Sequence, residues 1–192
     1  MVFVSMIQVR LEYISEKLRL IKWNNEFNSN LTLTFLRDMC VLHMKLNDIT
    51  LLINEVFGIS IMANVAMYFV QFVCGGYTMV FAFKSITDTT EMYQLCLTSI
   101  IYNYPYLPLF FWICYCCRCT IQESTKVGQR LHSLNTGEEI DSIQDQIKTF
   151  SLQVLHQNIE FSAGDFFTIN FTLIFAIICA FTNYLIILMQ FS

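Results

Sequence analysis

The chain has 192 residues, of which 55% are hydrophobic and only 14% are charged, and its formal net charge is −4. This composition excludes an ordinary soluble domain and indicates that a lipid bilayer is the solvent of the chain. A net negative charge provides no basic surface for nucleic acid, so no nucleic-acid partner is expected. Continuous apolar runs dominate over alternating patterns, which favours membrane helices over a membrane β-barrel.

The first part of the chain combines a short apolar start with an amphipathic segment. Residues 1–7 are apolar but too short to span a bilayer, and we expect them to be the tail of a truncated transmembrane helix. Residues 8–56 repeat apolar side chains every three or four positions, which predicts amphipathic helices. Residues 57–83 contain no charged side chain, and this predicts the first complete span.

The second part predicts two further spans. After a short loop at 84–92, the apolar segment 93–117 contains Pro105 and Pro108, which remove backbone donors and should bend the helix. The expected fold is therefore all-α: a polytopic membrane protein with three complete transmembrane helices, the stub of a fourth, and amphipathic helical extensions.

A polar segment and the last span complete the chain. Residues 118–160 are polar and mostly helical. The second half of this segment has an amphipathic period formed by Ile140, Ile143, Ile147, Phe150 and Val154. Residues 161–192 form the last predicted transmembrane helix, which is free of charge from Phe166 to Met189.

The distribution of lysine and arginine predicts the orientation. Most of these residues lie in 8–56 and 118–160, whereas the loop 84–92 contains only Lys84. The positive-inside rule therefore places both long segments in the cytoplasm and the loop outside. The C-terminus is then extracellular, and the chain is expected to be a multi-pass protein of the plasma membrane.

Small or polar residues recur at helical spacing along one face of the last span. They are Thr172, Ala176, Ala180, Asn183, Ile187 and Gln190. A stripe of this kind either packs against other helices or lines water. The residue types alone leave both possibilities open.

The same helix carries a recognisable signature. Residues 161–170 are followed by Asn183-Tyr184, five apolar residues and Gln190-Phe191. This pattern resembles the C-terminal signature of insect gustatory receptors, although Asn183 stands where the family has threonine. The matching residues are Gly164, Phe166, Asn170, Tyr184, Gln190 and Phe191. Weaker similarity extends to residues 54–58, 131–132 and 150–157.

The resemblance implies a fold and a function. Gustatory receptors and the related insect odorant receptors resemble seven-helix, ligand-gated cation channels that assemble as tetramers. By this resemblance, the chain would correspond to the C-terminal half of such a receptor. The resemblance implies a pore constriction at Ile187, Gln190 and Phe191, below which the stripe lines the pore. It also implies an anchor built from residues 8–53 and 140–157. The implied partners are the lipid bilayer, related subunits in a homo- or hetero-tetramer, a small-molecule ligand and cations, in the plasma membrane of a sensory neuron.

A different class of function stays open at this point. A small three-span scaffold or subunit, which works by helix association without channel activity, is the alternative. A G-protein-coupled receptor is a third possibility, but the predicted extracellular C-terminus argues against it.

The cysteine cluster at residues 114–119 has three readings. Its thiols are inert, or Cys116, Cys117 and Cys119 are sites of reversible palmitoylation, or the cluster binds zinc. Because no histidine lies near it, no metal site is predicted.

The remaining polar and aromatic residues point to no catalysis. His43, His132 and His156 lie far apart and are expected to be solvated or locally bonded. Asp165 either complements the N-terminal dipole of the last helix or concentrates cations. The aromatic run at 102–112 packs against other helices or contributes to a ligand pocket. Since no nucleophile elbow, phosphate loop or zinc motif occurs, neither an enzyme nor a cofactor is expected.

Overall fold

The computed structural model describes residues 2–23, 29–85, 89–103, 106–134, 141–164 and 166–191. Within these ranges the elements are, in chain order, α1 (Val2–Trp23), α2 (Ser29–Ser85), α3 (Thr89–Asn103), α4 (Tyr106–Leu134), α5 (Asp141–His156), β1 (Ser162–Ala163), β2 (Phe167–Thr168) and α6 (Phe171–Phe191). The predicted helical fold is confirmed, with one small hairpin added before α6.

Two helices of the described residues are long and apolar enough to cross a membrane. They are Leu31–Ala82 within α2 and Phe171–Gln190 within α6. At about 1.5 Å per residue, the 57 residues of α2 extend far beyond a hydrocarbon core of about 30 Å. Charged residues occur in α2 up to Glu55, and residues 56–83 contain none. Because charged side chains are costly in the hydrocarbon core of a bilayer, the second part of α2 is favoured as the span.

Two described helices share the predicted span at 93–117. Its first part lies in α3 and its last part in α4, while the intervening residues 104–105, which include Pro105, lie outside the described residues. Neither helix is among the two that are long and apolar enough to span. The count of three complete spans therefore stays a prediction.

The chain divides into two compact units. The first contains residues 1–55 and 116–161, and the second contains residues 56–115 and 162–192. The core of the first unit is formed by apolar side chains at helical spacing. On α1 these are Ile7, Leu11, Ile14 and Leu18, and on α5 they are Ile143, Ile147, Phe150 and Val154. The latter four belong to the amphipathic period read from the sequence, whose fifth member, Ile140, lies outside the described residues.

A histidine lies in this core, and the expectation that it is solvated or locally bonded is wrong. His43 on α2 is fully buried, and its ring lies edge-on to Phe150 with 6.0 Å between the ring centroids. Neither ring nitrogen has a hydrogen-bond partner among the residues that the structure describes. Burial lowers the pKa of His43 to about 4, because charging the imidazole there would remove it from water without compensation. The side chain is therefore neutral at physiological pH.

A reciprocal pair of hydrogen bonds joins α2 to α5 near this histidine in sequence. The Cys40 thiol donates to Gln153 Oε1 at 2.7 Å, and Gln153 Nε2 donates to the Cys40 carbonyl at 3.0 Å. Burial raises the pKa of the Cys40 thiol, which keeps it protonated and able to donate. The pair satisfies polar groups that would otherwise be costly in a largely apolar interior.

The second unit contains the later part of α2, all of α3, the start of α4, the hairpin and α6. The sequence predicted that the last helix begins at residue 161, but in the structure it begins at Phe171. In place of the first helical turns, β1 and β2 pair antiparallel, with Ser162 opposite Thr168 and Ala163 opposite Phe167. The reason lies at Gly164, whose φ of +59° reverses the chain and is incompatible with a right-handed helix.

Candidate pore-lining helix

The start of α6 is set by a side-chain cap. Asn170 Oδ1 accepts a hydrogen bond from the backbone N–H of Leu173 at 3.1 Å, and its Nδ2 donates to Thr168 Oγ1 at 3.0 Å. An asparagine that bonds to an amide three residues later is a helix N-cap, which satisfies one of the donors left open in the first turn. Asn170 therefore joins the hairpin to the helix, and this gives one signature residue a physical role.

Two glycines bring α2 and the hairpin turn into backbone contact. A Cβ placed on Gly58 would lie 2.5 Å from the backbone nitrogen of Gly164 and 3.1 Å from its Cα. The first distance is shorter than side-chain carbons tolerate and the second is tight, so any side chain at position 58 would force the hairpin backbone to move. Gly164 itself occupies the left-handed region, where glycine carries no Cβ penalty. Gly164, which belongs to the signature, thus contacts Gly58, which belongs to the segment 54–58 of weaker similarity.

One face of α6 packs against α2. Phe181 lies edge-on to Phe72 with 6.4 Å between centroids, and Tyr184 lies edge-on to Phe69 at 5.6 Å. A Cβ on Gly76 would lie 3.0 Å from Leu185 and 3.1 Å from Phe181, so the two helices approach closely there. With about 100° of rotation per residue, Ile174, Ile177, Phe181, Leu185 and Leu188 form a single side of the helix.

The small and polar stripe lies on the opposite side of α6. Thr172, Ala176, Asn183, Ile187 and Gln190 are exposed, and Ala180 is half-buried. By the same rotation, these residues centre nearly half a turn away from the face that packs on α2. Within the described part of the second unit, five of the six stripe residues are therefore left exposed by the packing of α6.

The other predicted site residues are placed as follows. Tyr184 is half-exposed beside Phe69, and Phe166 in the hairpin turn is 77% exposed. Gln190 is exposed at the end of α6, whereas the side chain of Phe191 and the whole of Asp165 lie outside the described residues. Because α6 begins at Phe171, the cap at its N-terminus is Asn170.

The three cysteines proposed for palmitoylation differ in their exposure. Cys117 is buried at 2% exposure. Cys116 and Cys119 are half-buried. Palmitoylation stays a prediction for all three residues, of which Cys117 is the least accessible.

The sequence reading did not anticipate the hairpin, the cap or the Gly58–Gly164 contact. One local signal was present for the cap, because an asparagine directly before an apolar helical run is typical of an N-cap. The glycine contact had no local signal, since it joins residues far apart in the chain.

Comparison with known proteins finds a family over nearly the whole chain. The family model described as 7tm Chemosensory receptor matches residues 2–192. The chain is 29% identical over 159 residues to the Drosophila melanogaster protein designated gustatory receptor 2a, covering 73% of this chain and 37% of that protein. It is 26% identical over 165 residues to the Drosophila melanogaster gustatory receptor for bitter taste 66a, covering 82% of this chain and 30% of that one.

A solved structure has a similar fold. The insect olfactory receptor OR5 from Machilis hrabei, determined in complex with eugenol, matches with a TM-score of 0.76 and 13% sequence identity. The match covers 98% of this chain and 46% of that receptor. The chain thus spans about a third of the length of the two Drosophila relatives and about half of the solved receptor.

Proposed function

Because the chain belongs to the 7tm chemosensory receptor family, we propose that it is a gustatory receptor subunit whose α6 lines the pore of a ligand-gated, non-selective cation channel. Family membership points to a receptor rather than to an enzyme. The resemblance of its last helix to the gustatory signature and its similarity to Drosophila gustatory receptors support the gustatory assignment.

The single observation that carries the pore proposal is the position of the polar stripe. Packing and pore lining were the two possible roles of this stripe, and within the second unit a different face of α6 performs the packing. Hydroxyl and amide groups left exposed on a membrane helix require a polar surrounding, which is another subunit or water. A tetramer that brings four copies of this face to a common axis supplies that surrounding.

The residues at the end of α6 suit a constriction. Ile187 is 47% exposed on the stripe, and an apolar ring at that level would gate by dewetting. Gln190, one turn further, offers neutral amide dipoles to a partly hydrated cation without strong selectivity. Together with Phe191, these residues form the proposed constriction, and the lining below it is formed by Thr172, Ala176, Ala180 and Asn183. We expect altered conductance from Asn183, because it places a larger amide where the family has threonine.

The first unit is the proposed anchor of the assembly. It combines α1, the first part of α2, the end of α4 and α5, so it includes the end of α4 in addition to the segments implied by the resemblance. Leu152 and Leu155 on α5 are 55% and 68% exposed beside an open groove of about 640 Å³ between α4 and α5. Exposed leucines beside a groove are suited to contacts with a neighbouring subunit, whether identical or related.

The proposed setting is the plasma membrane of a sensory neuron, with the first unit in the cytoplasm and the end of α6 outside. The distribution of lysine and arginine supports this orientation. The solved relative binds eugenol, and we propose that this receptor likewise responds to a small organic molecule.

The test is a current measurement in a conducting member of the family that carries residues 161–192 of this chain. Gln190→Ala and Ile187→Ala should each change ion permeability or basal opening, since both alter the narrowest level of the pore. Ile186→Ala is the matched control, because Ile186 is equally exposed but lies to one side of the stripe. If all three variants conduct as the parent does, α6 does not line the pore and the pore proposal is refuted.

A further inference from the structure

The second unit contains a cavity between three helices. It has a volume of about 260 Å³ and is lined by residues of α2, α4 and α6, among them Val65, Phe72, Phe110, Ile174, Ile177 and Phe181. We call it the interhelical cavity. These six side chains are apolar and three are aromatic, while Tyr68 adds one phenol to the lining.

The cavity has a structural cause. α2 and α6 approach closely at Gly76, beside Leu185 and Phe181, and α2 meets the hairpin turn at Gly58. Between these two points, the large rings of Phe69 and Phe72 stand between the helices. Space therefore remains at the level where no glycine permits close approach, and the packing of the second unit does not fill it.

The cavity has an apolar entrance. Phe111 and Ile178 also line it, and they are 43% and 50% exposed. A molecule dissolved in the hydrocarbon phase of a membrane can therefore reach the cavity without crossing a polar barrier. This route selects for neutral, lipid-soluble compounds.

We infer that the interhelical cavity is a binding site for a small neutral hydrocarbon-like molecule, flat or branched, that enters from the membrane. An engineered apolar cavity of roughly 150 Å³ binds benzene, so by proportion this cavity accommodates about ten non-hydrogen atoms. Charged ligands are disfavoured, because among the described lining residues the phenol of Tyr68 is the one polar side chain and no charged side chain is present. Aromatic walls favour an aromatic guest, whose ring meets Phe72 and Phe181 in offset or edge-on contact.

The site is on the face of α6 opposite to the small and polar stripe. A guest there contacts the helix that we propose to line the pore, and any effect on conduction rests on that proposed function. Binding itself does not, since the cavity is formed by packing within one chain.

The experiment uses the chain reconstituted in lipid nanodiscs, with phenyldiazirine as the photoreactive probe and naphthalene as the competitor. After irradiation, peptide mass spectrometry locates the labelled residues. We expect labelling of cavity residues such as Phe72 and Ile177 that naphthalene removes, and labelling of the lipid-exposed Phe175 that naphthalene leaves unchanged. Naphthalene should also raise the thermal midpoint of the chain, because it binds the folded state.

Two variants fill the cavity from different walls. Ile177→Trp and Val65→Trp should each abolish the labelling that naphthalene displaces and the rise in thermal midpoint. Ile186→Trp, the same change on α6 outside the cavity, should retain both. Since two walls are tested separately, loss of folding in one variant leaves the other decisive.

The inference is overturned if naphthalene displaces no label from the native chain, as would be found if a tightly held lipid chain occupied the cavity. It is also overturned if displaceable labelling persists in both filled variants. Neither measurement needs an ion current, so failure here is distinguishable from failure of the channel proposal.

Discussion

The backbone contact between Gly58 and Gly164 makes a sharp prediction for Gly58→Ala. The added methyl would lie 2.5 Å from a backbone nitrogen, which must move by nearly 1 Å to reach ordinary contact. Overpacking of this kind costs about 1–3 kcal/mol, whereas alanine gains about 1 kcal/mol in helix propensity over glycine. The net loss is up to about 2 kcal/mol, which lowers the thermal midpoint of a chain of this size by up to about 8 °C.

The free cysteines provide the assay. Cys40, Cys114 and Cys117 are buried in the folded chain, so a thiol-reactive fluorophore reports their exposure as the temperature rises. Gly128→Ala is the matched control, because Gly128 is also helical and its new methyl would meet only Val154 Cγ1 at 3.3 Å. That side-chain end can move, so the midpoint should stay unchanged or rise. If Gly58→Ala melts no lower than Gly128→Ala, the close approach of α2 to the hairpin turn is refuted.

Gly164 tests the same contact from its other side. A Cβ there would have only ordinary neighbours, 3.6 Å or more away, so the cost of Gly164→Ala is conformational. At a φ of +59° that cost is about 1–2 kcal/mol, and asparagine, which visits this region more readily, should cost less. Equal melting of Gly164→Ala and Gly164→Asn would contradict the left-handed conformation.

Three further predictions concern polar groups. The pKa of His43 is lowered from 6.5 to about 4 in the folded state. As the pH decreases, this histidine is therefore protonated in the unfolded chain before it is protonated in the folded chain. Stability is therefore complete above about pH 6.5 and falls as the pH decreases towards 4, by about 3 kcal/mol in all. The thermal midpoint of His43→Leu should vary less over that range, and an equal dependence in both chains would contradict a buried neutral imidazole. Asn170→Ala should cost about 1 kcal/mol through loss of the cap, and Asn170→Ser should restore most of it; equal midpoints for these two variants would exclude the cap. Gln153→Leu should cost about 1–3 kcal/mol and speed the alkylation of Cys40, while an unchanged alkylation rate would exclude the reciprocal bonds.

The sequence alone determined those features that repeat along the chain. Apolar runs without charge indicated α6 and the second part of α2, which lie in helices long and apolar enough to cross a membrane, and a period of three to four identified the buried side of α5. The same period located the small and polar stripe. These predictions succeed because a helix presents one face to one environment, so that environment is recorded in the spacing of residue types.

The tertiary structure decided what depends on residues distant in the chain. The sequence could not place His43 in the core, since an imidazole at an amphipathic position is equally suited to water. It could not show that the turn at Gly164 contacts Gly58, or that α6 begins only at Phe171. It left the stripe between packing and pore lining. The structure adds that Phe181 and Leu185 lie on the face that packs on α2, and pore lining stays a proposal. The spacing of residues along a helix shows which of its sides is apolar. It does not show which distant segment of the chain packs against that side, because this depends on tertiary contacts.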